Sequence, residues 1–472
     1  MNMRAKAKPN LANPWLWLAL LAGIVALFGG SSRFDMTQTA ALRPLTALLL
    51  IPAFYFLDME KVRPAQSLVI MMGLLISWML IQVIPLPPLL WQALPEREMI
   101  ADLDQLLGIE GGWRPISFEP VRGWNAMASM VVPVAALLLA LALRANARML
   151  LLLVVGLGLF DALLGLLQVA SGRSGLLYFY AVTNPSSPVG MFANENHSAV
   201  FSAIGMLVIA RLATDSRRLG EPAWLRLGYM PAFILLLLAL LVSGSRAGFA
   251  AGGLALLAAA AMTLSGIARS RRWERQARLE GWLIGHPRVL LFAFLLAIIA
   301  LLSAFFSLER APGLSAILSQ DALEDLRVRI LPILEQMIRA YWLFGIGFGS
   351  FEEVYHIYEP TALMFRSYLN QAHNDWAQLI IEGGLPAAAI LIAFFIWIAN
   401  GMREILLSWK SPLIHLLFWL TAIAIICAAS IVDYPLRVPA FQLAAVWLVL
   451  ALALERNERM AQQERQKPTR TG

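Results

Sequence analysis

Apolar runs of about 17–25 residues recur along this chain, the length an α-helix needs to cross some 30 Å of hydrocarbon. They stand at about 14–30, 39–57, 66–85, 124–143, 149–170, 197–213, 228–243, 247–266, 289–307, 374–400, 412–430 and 438–455. The expected fold class is an all-α polytopic membrane protein with about twelve transmembrane helices. Of the 472 residues 59% are apolar and 14% charged. Soluble domains hold roughly 45–50% and about 25%, so a soluble enzyme is excluded.

The net charge of +7 does not point to nucleic acid, because the basic residues lie between apolar spans and form no single stripe. They read as topology signals. With the N-terminus in the cytoplasm, 24 of the 37 Lys and Arg fall inside and 13 outside, and an even number of spans returns the C-terminus to the cytoplasm. Arg4, Lys6 and Lys8 before the first run resemble a signal peptide, but no small-residue cleavage site follows, so the run is kept as a membrane helix. The single cysteine, Cys427, lies within a span and offers neither a disulfide framework nor a metal-binding thiol cluster.

Four segments follow: spans 1–9 in residues 1–307, an outer loop domain at 308–373, spans 10–12 in 374–455, and a charged, solvated tail at 456–472. The loop domain has helical periodicity through Leu326, Ile330, Leu334 and Met337, then the glycine-rich turn Gly345 to Ser350, and reads as an ordered cap. A second outer segment, 86–123, reads as an irregular flap with one short helix.

The sharpest chemical signal is His373-Asn374-Asp375, where the loop domain meets the tenth span. Asp375, Gln378 and Glu382 share a helix face, and Glu382 lies about 10 Å along the helix, where a carboxylate must face protein or a wet cavity. His373 is a candidate general base at the outer face. The alternative is a helix cap, with Asn374 or Asp375 satisfying free N–H groups and the histidine merely interfacial. Asn194-Glu195-Asn196-His197 opens the sixth span in a similar way, with capping the expected role of Asn196 and hydroxyl or phosphate binding the alternative for the group.

Arg246, in the tight outer turn Ser243-Gly244-Ser245-Arg246, is the best candidate for an anion contact; snorkelling to lipid phosphate is the plainer reading. Arg327, Arg329, Arg339 and Arg366 also face outward, a set suited to a phosphate or diphosphate, although Glu324, Asp325 and Glu335 offer simple surface pairing. The turn Asp433 to Arg437 reads as a self-contained ion pair. Asp161, inside the fifth span with Gln168 on the same face, marks either a functional site or internal packing. The sequence holds no nucleotide-binding glycine loop, no H-E-x-x-H and no Cys/His grouping, so neither a cofactor nor a metal is expected.

Taken in order, Phe192 to His197, Ser243 to Arg246, Arg329 with Gly345 to Phe351, His373-Asn374-Asp375 and Glu382-Gly383-Gly384-Leu385 resemble the O-antigen ligase and polymerase superfamily. The usual second glycine after the leucine is replaced by Pro386-Ala387, which bears on local helix packing. The resemblance implies a multispanning glycosyltransferase of the bacterial inner membrane. It further implies metal-independent transfer of a glycan from undecaprenyl diphosphate to lipid A–core, or to another lipid-linked glycan, at the periplasmic face. Mapped onto this sequence, it implies that Arg246 and Arg329 hold the diphosphate and His373 activates the acceptor hydroxyl. A chain-extending polymerase of the same superfamily is the nearest alternative. A small-anion secondary transporter, with Asp161 on its pathway, is the alternative of another class, but the polar motifs gather at the outer face and not at the midplane. A purely structural assembly protein would not need this clustering of His and Arg.

Overall fold

Ten of the expected runs are helices long and apolar enough to cross a membrane. They are Thr39–Phe56, Met59–Val83, Pro120–Ala142, Ala147–Ser171, Glu195–Ser216, Leu225–Ser243, Arg246–Gly266, Asp375–Leu407, Pro412–Val432 and Pro439–Gln463. The computed structural model describes residues 13–171, 177–184, 187–216, 221, 223–270, 327–364, 369–409 and 412–466. The expected span 289–307, the loop domain up to Leu326, Arg366 and residues 467–472 lie outside the described residues. The chain is an all-α polytopic membrane protein, and the one strand-type pairing among the described residues is a bridge between Leu86 and Arg114.

The first expected span is shorter than its apolar run. Asn13 caps it, its side chain accepting from Trp15 N at 3.0 Å, Pro14 occupies the first turn, and the helix ends at Phe28 after 15 residues, about 22 Å. The charged tail also departs from expectation. Helix Pro439–Gln466 runs on into it, and at the start of the tail Arg456 clamps Glu404 through two bonds of 2.7 and 2.8 Å.

Glu195–Ser216 is the central helix, buried without a break from His197 to Leu212 and packed on Ala147–Ser171, Ala223–Ser243, Arg246–Ser270 and Pro412–Val432. Small residues allow that closeness: a Cβ on Gly248 would stand 2.3 Å from Ala199 Cβ. Backbone bonds gather several helix junctions at one end of the bundle. Gly29 O accepts from Ala440 N at 2.8 Å, Gly30 O from Ala193 N at 3.0 Å, and Tyr180 from Gly30 N at 2.6 Å.

Over that end lies a small second core. Leu331–Tyr341 turns Ile333, Leu334, Met337 and Tyr341 inward against Phe351, Val354 and Tyr355 of Phe351–Tyr358. The flap holds two helices, Pro88–Trp91 and Glu98–Leu107, and the next span already begins at Pro120. Leu86 and Arg114 exchange backbone bonds of 2.9 and 3.1 Å across its base.

The long helix Asp375–Ser408 breaks at Gly384, whose φ of 60° and ψ of −157° are non-helical, two residues before Pro386. The glycine-rich turn plugs the break: Ile346 N donates to Ile381 O at 2.9 Å and Gly347 N to Glu382 O at 3.0 Å. Gln82 Nε2 donates to Phe344 O and Glu382 O, both at 2.9 Å, and Trp78 Nε1 to Gly383 O at 2.7 Å. This packing holds the backbone on the N-terminal side of Pro386 and Ala387, the latter standing where the resembled pattern has its second glycine.

Candidate functional site

His373 is placed by the start of the Asp375–Ser408 helix. Asn374 is the N-cap, its side chain accepting from Ala377 N at 3.0 Å, and His373 just before it takes a left-handed φ of 48°. Such a conformation costs a non-glycine residue of order 1–3 kcal/mol and is characteristic of functional sites. So Asn374 does cap, yet His373 is not merely interfacial: its Nδ1 lies 3.1 Å from Asp433 Oδ1.

Asp433 is the hub that the sequence did not reveal. Its Oδ1 also accepts from Tyr434 N at 3.1 Å. Around Oδ2 stand Asn196 Nδ2 at 3.3 Å, Asn194 Nδ2 at 3.4 Å, His197 Nε2 at 3.7 Å and Arg327 Nη2 at 3.8 Å. The Tyr434 ring meets both imidazoles edge-on, with centroids 4.8 Å from His373 and 5.2 Å from His197. Burial pushes the Asp433 carboxyl up, but the charge and hydrogen bonds of His197 and His373 outweigh it and hold it well below the usual carboxylate range. An ionised Asp433 only accepts hydrogen bonds, so Nδ1 of His373 is the donor in this pair.

The expected self-contained Asp433–Arg437 pair is therefore corrected. Arg437 turns the other way, to Glu382 Oε2 at 2.9 Å and Asp375 Oδ1 at 3.5 Å, because a 3-10 turn at Pro435–Arg437 separates the two side chains. Asp375 Oδ2 also accepts from Ser430 Oγ and Leu436 N, both at 3.1 Å. Glu382 Oε1 takes Gln378 Nε2 at 3.1 Å and Gly349 N at 3.2 Å. Asn196 is corrected too. Asn194 is the cap, accepting from Asn196 N at 2.8 Å, while the Asn196 side chain joins Asp433 to Ser245 Oγ, which donates to its Oδ1 at 2.6 Å.

Ser245 Oγ in turn accepts from Gly248 N at 2.9 Å, so the turn carrying half-buried Arg246 is bound to the hub through Asn196. Arg327 faces the hub directly. Arg329 is exposed, and Arg339 pairs on the surface with Glu335 one helical turn away. Asp161 serves packing: Oδ1 accepts from Met191 N at 2.8 Å and Oδ2 from Ser198 Oγ at 2.7 Å, while Gln168 exchanges two 2.8 Å bonds with Gly190. Together they pin the loop that leads to Asn194. Among the described residues no group of three or more His, Cys, Asp or Glu is arranged to hold a metal ion.

Beside the hub, Asp375, Glu382 and Arg437 form part of the wall of a cavity of about 400 Å³. Arg33, Arg43 and Arg122 line it as well. Arg33 pairs with Asp35 at 2.8 Å, and Arg122 with Glu353 at 3.0 Å. Arg43, four residues into a span, is held instead by the Asn125 side chain at 2.8 Å and its carbonyl at 3.2 Å. Among the described residues no carboxylate pairs with Arg43, so a charge lies at the cavity held only by neutral groups. The cavity continues into an apolar groove of about 300 Å³, with Leu75, Trp376, Leu379 and Leu436 common to both. The cue for Arg43 was its place inside a span, the same cue that singled out Asp161.

Fold and site together define a multi-pass membrane protein with a histidine–carboxylate centre at one end of its bundle and an amphipathic cavity beside it. Residues 231–392, about a third of the chain, match the family model described as O-antigen ligase, so this stretch is similar to that family. The match contains Arg246, Arg327, Arg329, His373 and Glu382, while Asn194, Asn196, His197 and Asp433 come from outside it. No curated protein matches the chain.

Proposed function

We propose that this protein is an O-antigen ligase-type transferase of the bacterial inner membrane, moving a glycan from undecaprenyl diphosphate to a hydroxyl of lipid A–core at the periplasmic face without a metal. The observation that carries the reading is the His373–Asp433 pair, a base oriented by a buried carboxylate in a strained turn. The acceptor oxygen attacks the anomeric carbon as the bond from that carbon to the diphosphate breaks on the opposite face, so configuration inverts. The hydroxyl proton passes to His373 Nε2, and the electron pair leaves on undecaprenyl diphosphate.

Arg246 and Arg327, gathered around the hub, hold the developing charge, with Arg329 at the outer rim. Fixed guanidinium groups donate paired hydrogen bonds to phosphate oxygens and need no reorganisation as charge builds. The apolar groove suits the prenyl chain.

The test compares lipopolysaccharide with carrier-linked glycan in a deletion strain complemented by wild type, His373→Ala or Arg246→Ala, with membrane protein levels matched. Long chains on the carrier and bare lipid A–core in both variants are expected. Single-repeat products would reassign the protein as a polymerase, and wild-type patterns in both variants would refute the roles given to these residues.

A further inference from the structure

The flap helix Glu98–Leu107 has its polarity turned inside out. Asp104 is fully buried and paired with Arg114, while Met99, Leu103, Leu106 and Leu107 point outward from one face. Leu106 is 84% exposed. Leu89 of the preceding short helix and Trp113, next to the bridge residue Arg114, are exposed apolar residues of the same flap, 84% and 65% exposed. Glu98, Asp102 and Gln105 form a separate polar edge on the helix. In water this arrangement exposes the wrong face, whereas at a membrane surface the apolar face enters lipid and the polar edge stays wet.

The connections bring the flap to that surface. It leaves the span ending at Val83 and re-enters the next at Pro120, and the Leu86–Arg114 bridge closes its base only three residues beyond the first of these. The span ends that flank it are apolar and exposed as well, with Leu80, Ile81 and Ile84 on one side and Val121 and Trp124 on the other. Tryptophan is the residue that gathers at headgroup depth.

We propose that the flap is a monotopic membrane anchor, with Met99, Leu103, Leu106 and Leu107 embedded in the leaflet on the His373 side. The end of the flap is fixed to the glycine-rich turn whose Phe348 and Gly349 line the cavity, since Phe118 N donates to Ile346 O at 2.9 Å and Ser117 Oγ meets Ser350 Oγ at 3.1 Å. Embedding it therefore holds the mouth of the cavity at the depth of the lipid headgroups.

Because the chain has one cysteine, Cys427→Ser clears the background for a spin label at Leu106→Cys or, on the polar edge, at Gln105→Cys. The full-length protein is reconstituted in nanodiscs of phosphatidylethanolamine and phosphatidylglycerol, and label collisions with oxygen and with a water-soluble nickel chelate are compared. The label at 106 is expected to favour oxygen and the label at 105 the nickel chelate. Equal access of nickel to both positions would overturn the proposal. Shielding of the 106 label from both reagents, with disulfide cross-linking of Leu106→Cys between copies, would overturn it in favour of a protein partner. The measurement does not depend on activity, so it stands or falls apart from the transferase reading.

Discussion

Replacing Asp433 by asparagine tests the hub most directly, because neither orientation of the amide suits the site. With its oxygen toward His373 the amide keeps the bonds from His373 Nδ1 and Tyr434 N, but its NH2 then faces donors on Asn194, Asn196 and Arg327. With the amide flipped, NH2 points at His373 Nδ1, and the proton must move to Nε2, the atom that has to accept from the acceptor hydroxyl. General-base catalysis contributes about 10²–10⁴-fold. Losing it raises the barrier by about 3–5 kcal/mol at 1.36 kcal/mol per decade. Asp433→Asn should therefore lower kcat in reconstituted transfer about 10²–10⁴-fold, with the protein still inserted in membranes at normal level.

The contribution of Asp433 to stability has a pH dependence with a definite sign. A carboxyl held below its ordinary value contributes fully above the unfolded pKa and loses its contribution only as pH falls through the depressed folded value. Asp433 is held well below 3.8. Over about pH 5–8 Asp433 therefore stays ionised, and its own protonation takes no stability from the folded protein until the solution is well below about pH 4. A variant with kcat within threefold of wild type would refute the reasoning.

Arg43→Gln removes the cavity cation held by Asn125. A hydrogen bond to a charged group contributes about 1.5–3 kcal/mol, so KM for the carrier-linked donor should rise roughly 10–100-fold with kcat little changed. Equal KM values in steady-state assays would remove Arg43 from the donor site. Gly345→Ala places a Cβ 2.2 Å from Glu382 O at a φ of +72°. The left-handed conformation alone costs about 1–2 kcal/mol. The variant should melt at lower temperature in detergent or vanish from membranes, and an unchanged melting temperature would mean the plugged helix break tolerates the side chain.

The sequence by itself determined what depends on neighbours along the chain. Ten spans follow from runs of apolar residues, because an α-helix in hydrocarbon needs only length and composition. The His373-Asn374-Asp375 junction was visible as a cap because an N-cap bonds within its own first turn. Even there the reading reached its limit one turn away: Asn194 and Asn196 are both good caps, and only the backbone path shows that Asn194 caps while Asn196 reaches Asp433.

The tertiary structure alone decided which charges meet. Asp433 lies 60 residues from His373 and 237 from Asn196, and Arg437 lies 55 from Glu382. Those distances close only when helix ends from separate spans are packed at one end of the bundle. Asp433 and Arg437 read as partners because they are neighbours in sequence, but a 3-10 turn aims them at different helices. Arg43 was not among the residues singled out in the sequence; Asn125, 82 residues on, holds it beside a cavity. Local periodicity sets where a helix runs, whereas the pairing of buried charges is set by desolvation, and that depends on everything packed around them.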